Sequence, residues 1–192
     1  MHNKLRNWRS GVLPKKTAVF VIGDLHGEYK LLQRLVRQIN IKIVKLPRQV
    51  KKEIIFIGDY IDRGFNSKST VKYLIELKKF FLRQKSVNLH FLCGNHDDFF
   101  SKLLTSNGLI EDPKNDILFK KDPLYKLIKS PSNSIYLSGF KTWYDIGGGR
   151  TTIEDYYPII INELDLLLNE KNIGKNGKKI NLLVEKFKQN IP

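Results

Sequence analysis

Gly58–Gly64 reads G-D-Y-I-D-R-G, directly after the apolar run Glu53–Ile57 (E-I-I-F-I) and shortly before a helical pattern that begins near Ser67. Strand, tight polar turn and helix in that order is how an α/β sheet presents reactive side chains at the carboxyl ends of its strands. Asp59 and Asp62 offer hard oxygen ligands or general-base capacity, Arg63 offers a fork that fits phosphate, and glycines let a ligand approach closely. Taken alone, the stretch is equally compatible with a polar loop whose aspartates cap the next helix.

The same order recurs on both sides of it. Upstream, Thr17–Ile22 (T-A-V-F-V-I) is an apolar run of the kind buried in parallel sheets, and it ends in G-D-L-H-G, Gly23–Gly27. Leu31, Leu32, Leu35, Val36 and Ile39 then mark a helix over Glu28–Asn40. The central unit continues into a helix over Ser67–Gln84 with Val71, Leu74, Ile75, Phe81 and Leu82 on its apolar face and Ser67 or Ser69 as N-cap. Downstream, Val87–Cys93 is a third strand, followed by G-N-H-D, Gly94–Asp97, and a short helix through Leu104. Three strand–turn–helix units predict an α/β fold whose turns line one edge of a parallel sheet. Asp24, His26, Asp59, Asp62, Asn95, His96 and Asp97 then meet in one cleft, which loop chemistry alone does not explain.

Composition sets the outer limits. The chain has 192 residues, room for one domain with a real core, and its 41% hydrophobic content argues for a globular protein. No apolar run approaches the ~20 residues of a membrane span. The basic lead-in, residues 1–14, precedes no apolar signal region, and the single cysteine, Cys93, fits a reducing cytoplasm. The formal charge of +15 is spread along the whole chain without aromatic interleaving, so it reads as solvated faces and nucleic acid is not the expected partner.

A carboxylate between two cations, with His, Asp and Asn around it, is a mixed nitrogen and oxygen site for Mn, Fe or Zn. Two such ions clamp a phosphoryl oxygen and balance the charge of in-line displacement. His96 oriented by Asp62 suits proton donation to a leaving alkoxide, and Arg63 suits the phosphate.

The ordered set G-D-L-H-G, G-D-Y-I-D-R-G and G-N-H-D resembles the signature of calcineurin-like metallophosphoesterases, closest to their phosphoprotein phosphatase branch. The resemblance implies a sandwich of sheets flanked by helices, with residues 15–192 as the N-terminal part of that domain. It implies Asp24 and His26 on a first divalent metal, Asp59 bridging, Asn95 on a second, His96 as proton donor paired with Asp62, and Arg63 on phosphate. Asp97 stands where that branch usually has Glu. Trp143–Tyr156 (W-Y-D-I-G-G-G-R-T-T-I-E-D-Y) is similar to a W-x-x-x-G-G-x-x-T segment of bacterial protein phosphatases and of diadenosine tetraphosphate hydrolases, expected beside the cleft. A glycine-rich turn between two helices accounts for Gly147–Gly149 equally well.

Family members add two later histidines, whereas here His2, His26, His90 and His96 are the only ones. His90 is expected to be a packed or edge histidine. The expectation is therefore a truncated domain with an incomplete second metal site and second sheet, an apolar sheet face in need of a complementary C-terminal chain, and helices near Leu103–Leu104, Leu124–Ile128 and Ile159–Leu168 shielding part of that face. The implied function is hydrolysis of phosphate monoesters through a metal-activated water, on a phosphoprotein or a phosphorylated small molecule. A dinucleoside polyphosphate hydrolase and a non-catalytic subunit are the alternatives.

Overall fold

The structure, a computed structural model, describes residues 13–83, 87–110, 134–169 and 173–191. Strands β1 (Thr17–Ile22), β2 (Lys51–Phe56) and β3 (Val87–Phe91) form one parallel sheet in that order. Ile22 is level with Phe56, and Phe56 with Phe91, so the strands finish together and their following turns share an edge. Helices α1 (Tyr29–Lys45) and α2 (Ser67–Leu82) cross between the strands and pack on the same sheet face. There Ile22, Ile54, Phe56 and Val87 meet Leu32, Ile39, Ile43, Leu74, Leu77 and Phe81. Each such side chain contributes about 1.5–3 kcal/mol by leaving water.

Several boundaries differ from the sequence pattern for tertiary reasons. β2 begins at Lys51 because Lys51 and Lys52 pair with Thr17 and Ala18; Lys52 buries its stem and donates from Nζ to the Pro47 carbonyl at 3.1 Å. α1 runs on to Lys45 because Ile43 is also buried, and it stops where Leu46, preceding Pro47, turns extended. Neither Ser67 nor Ser69 caps α2: Asn66 holds the cap position without a side-chain bond, and Ser67 is the first helical residue. Ile75 and Leu82 lie off the core face and are exposed.

The opposite sheet face is open among the described residues. Val21 is 62% exposed, and Ile57 and Leu92, just beyond the strand ends, are exposed too. His90 sits exposed on edge strand β3 and bonds Glu53, which also accepts from Lys51 and Asn88.

The remaining elements build a second core. They are α3 (Asn95–Thr105), β4 (Leu109–Ile110), β5 (Ile135–Tyr136), α4 (Leu137–Asp145), α5 (Gly149–Tyr156), a 3₁₀ turn (Pro158–Ile160), α6 (Ile161–Asn169), a second 3₁₀ turn (Ile173–Asn176) and α7 (Gly177–Gln189). Phe99, Leu103, Phe140, Trp143, Ile153, Leu164, Ile180 and Phe187 form its centre. Leu103, Leu104 and the Ile159–Leu168 stretch thus serve this core, with Ile159 itself exposed, and do not shield the open sheet face, contrary to expectation. Among the described residues the second sheet consists of two parallel two-residue strands, β4 and β5. The expected helix near Leu124–Ile128 and most of the basic lead-in lie outside the described residues.

Candidate metal and phosphate site

The three turns are sewn together at the sheet edge. Leu25 and His26 both donate backbone N–H to the Asp59 carbonyl at 2.9 Å, Gly27 N–H reaches Tyr60 O at 3.0 Å, and Gly64 N–H reaches His26 O at 3.0 Å. The third turn joins through Asp97, whose carboxylate accepts from the backbone N–H of Asp59 (2.7 Å), Tyr60 (2.9 Å) and Gly94 (3.0 Å). Burial pushes the Asp97 carboxyl up, and these three donors oppose that. Tyr60 closes the seam by donating its hydroxyl to Leu92 O at 2.6 Å. A side chain on Gly58 would collide with the Gly94 backbone, and one on Gly94 with the Asp59 carboxylate, so the glycines here serve close approach.

This seam holds a strained backbone in place. His26, Asp59, Asp62 and Arg63 have φ of 41°, 53°, 71° and 65°, a region that costs residues other than glycine on the order of 1–3 kcal/mol each. Four such residues in two turns are kept there by the surrounding bonds.

Asp62 is fully buried and both of its carboxylate oxygens are hydrogen-bonded. One oxygen accepts from His96 Nδ1 at 2.8 Å and from the Trp143 indole at 2.6 Å; the other accepts from the Thr152 hydroxyl at 2.5 Å. Asp62 N–H is shared by the Thr152 and Ser67 oxygens, and since the Thr152 proton is committed to Asp62, Ser67 donates to Thr152 across 3.1 Å. Arg63 N–H donates to Gly148 O at 3.2 Å. Trp143–Tyr156 is therefore more than a neighbour of the cleft: it grips Asp62 and Arg63 from behind. Gly147–Gly148 is at the same time a tight inter-helix turn, with Gly148 at φ 85°.

The two imidazoles are oriented alike. His26 Nδ1 donates to Ile61 O at 2.9 Å and His96 Nδ1 to Asp62, so both Nε2 lone pairs face the cleft. Ligand atoms of His26, Asp59 and His96 lie within 4.8 Å of one another, and His96 N–H fixes Asp59 Oδ1 at 3.0 Å. The Arg63 guanidinium donates to His26 Nε2 at 3.0 Å and His96 Nε2 at 3.2 Å. The donor set already converges on a cation, so a divalent metal fits its chemistry. Asp24 stands at the rim, 3.8 Å from His26 Nε2 and 58% exposed. Asn95, the first residue of α3, is exposed beside His96. The structure thus gathers His26, Asp59, Asp62, Arg63 and His96 tightly, with Asp24 and Asn95 on the periphery.

The calcineurin-like phosphoesterase family model matches residues 17–187. The chain belongs to that family. Among curated members, it is 36% identical over 89 residues to the serine/threonine-protein phosphatase PP2A-like PPG1 of Saccharomyces cerevisiae, covering 46% of this chain and 21% of that protein. It is 33% identical over 111 residues to the serine/threonine-protein phosphatase 6 catalytic subunit of Drosophila melanogaster, covering 52% and 33%. It is also 33% identical over 86 residues to the serine/threonine-protein phosphatase BSL2 of Arabidopsis thaliana, covering 45% and 8%. The chain thus spans a third or less of the length of these phosphoesterases. A solved cold-active protein tyrosine phosphatase aligns at TM-score 0.33 and 19% identity, over 64% of this chain and 35% of that one. No helix among the described residues is long and apolar enough to cross a membrane.

Proposed function

We propose that this chain is a divalent-metal-dependent phosphoesterase of the serine/threonine phosphatase type, acting on phosphate monoesters. The observation that carries this reading is the buried Asp62–His96 pair facing the convergent His26, Asp59 and Arg63. In it, Asp24, His26 and Asp59 would hold one metal, and Asp59 and Asn95 would contribute to a second. The metals, when bound, supply Lewis-acid charge at the phosphoryl group and an acidified water.

The chain's own residues do the rest. Asp62 keeps the His96 proton on Nδ1, so Nε2 can carry and release a proton to the leaving oxygen. Arg63 turns its fork from the histidines to the phosphate oxygens. The indole of Trp143 and the hydroxyl of Thr152 hold the Asp62 carboxylate while His96 changes charge.

Turnover of p-nitrophenyl phosphate with added Mn, lost in Asp59→Asn and in His96→Asn, supports this function. A folded chain that binds Mn but leaves the ester intact rejects it. Phosphoserine peptides turned over in preference to diadenosine tetraphosphate favour a protein substrate, and the reverse preference makes the chain a dinucleoside polyphosphate hydrolase.

A second reading has its own support. No histidine follows His96 in this sequence, and among the described residues the ligand group contains three, His26, Asp59 and His96. On that reading the chain is a single-metal subunit that works with a complementary chain seated on the open sheet face. Calorimetric titration separates the two: two tight Mn sites favour the enzyme, one weak site the subunit.

A further inference from the structure

A groove of about 850 Å³ runs between α1 and α2 and is lined by none of the residues of the site described above. Its two walls differ in chemistry. Along α1, Lys30, Arg34 and Arg37 follow one another at helical spacing, which sets them in a single stripe. Across from them α2 supplies Tyr73 and Phe80, the latter 54% exposed although it is a large aromatic. Three cations line the groove against one carboxylate, Glu76.

The cations are also uncommitted. Among the described residues Lys30, Arg34 and Arg37 take part in no ion pair, a trait they share with other surface cations such as Lys42, Lys45 and Lys72; what sets them apart is their single stripe along the groove. An unneutralised stripe beside exposed aromatic surface is the arrangement that an acidic ligand with an apolar anchor complements. The aromatic wall separates this from a plain polyphosphate site, which would use the charged rim alone; a single-stranded nucleic acid can stack bases on exposed aromatics, so it serves as a competitor in the test.

We propose that this groove docks an acidic peptide segment of a partner protein, its carboxylates on the Lys30–Arg34–Arg37 stripe and a Phe or Leu side chain against Phe80 and Tyr73. The proposal goes beyond the phosphoesterase reading and does not depend on it.

The test is fluorescence anisotropy of the full chain with a labelled short peptide in which Glu and Asp alternate with Leu and Phe. Saturable binding is expected, weakening as salt rises. Arg34→Glu with Arg37→Glu is expected to weaken it by at least about tenfold, and Phe80→Ala to weaken it further, while Lys178→Glu with Lys179→Glu on α7 changes it little. Circular dichroism confirms that each variant stays folded, since all the altered side chains are exposed. Binding that ignores the α1 charge reversals overturns the proposal. So does equal binding of a charge-matched peptide lacking Leu and Phe, or equal competition by a single-stranded oligonucleotide.

Discussion

Thr152→Val is nearly isosteric and removes one hydroxyl from a site with no exposure to solvent. That hydroxyl donates to Asp62 Oδ1 at 2.5 Å and accepts from Asp62 N–H at 3.0 Å. Without it, one carboxylate oxygen loses the donor that the structure gives it, and the N–H keeps only Ser67 at 3.2 Å. A hydrogen bond to a buried charged group contributes about 1.5–3 kcal/mol, and water cannot replace the lost donor. We therefore expect destabilisation of about 2 kcal/mol. For a chain of this size that lowers the melting temperature by about 4–8 °C, measured by calorimetry and checked by urea unfolding.

Thr142→Val is the control. Its hydroxyl returns only to the Ser138 carbonyl within α4, so it should stay within about 0.5 kcal/mol of the parent. Because Asp62 orients His96, Thr152→Val should also lower kcat for p-nitrophenyl phosphate about tenfold with KM held. Equal stability of the Thr152 and Thr142 variants would refute the claim that the Trp143–Tyr156 segment secures the Asp62 carboxylate.

Two further outcomes follow from charges elsewhere in the first core and its turns. Asp97→Ala strips the acceptor shared by the Asp59, Tyr60 and Gly94 amides and should cost about 2–4 kcal/mol, with Mn affinity falling because Asp59 is no longer fixed; calorimetry that finds both unchanged would break the seam argument. Burial works to raise the Glu53 carboxyl, but bonds from Lys51, His90 and Asn88 outweigh it and bring it down from 4.5 to about 2. A depressed acid stabilises the fold above its ordinary value, so this contribution is present above pH 4.5 and fades as pH falls towards 2. Glu53→Gln should flatten that acid limb in unfolding measured across the window, and an unchanged slope would count against the Lys51–Glu53–His90 cluster.

Short-range pattern determined the parallel sheet and most of the site. Apolar runs at Thr17–Ile22, Glu53–Ile57 and Val87–Cys93, each followed by a glycine-led polar turn, have few ways to be buried other than side by side, and that places Asp24, His26, Asp59 and His96 on one rim. The Asp62–His96 pairing was expected from the resemblance of the two turns to a known family signature, not from their positions in the turns alone. Strand and helix ends were less so: β2 starts at Lys51 and α1 continues to Lys45 through pairing and packing partners that local sequence does not contain.

What only the tertiary structure decided is how the site is held. Trp143 and Thr152 lie 81 and 90 residues from Asp62, and nothing in a tryptophan or threonine by itself announces a bond to a buried carboxylate. Asp97 gives no local sign that it sews its own turn to the central one, nor Arg63 that its guanidinium spans His26 and His96. The physical reason is range. Periodicity records which side of an element faces the core, whereas the partner of a polar group depends on which other element arrives there.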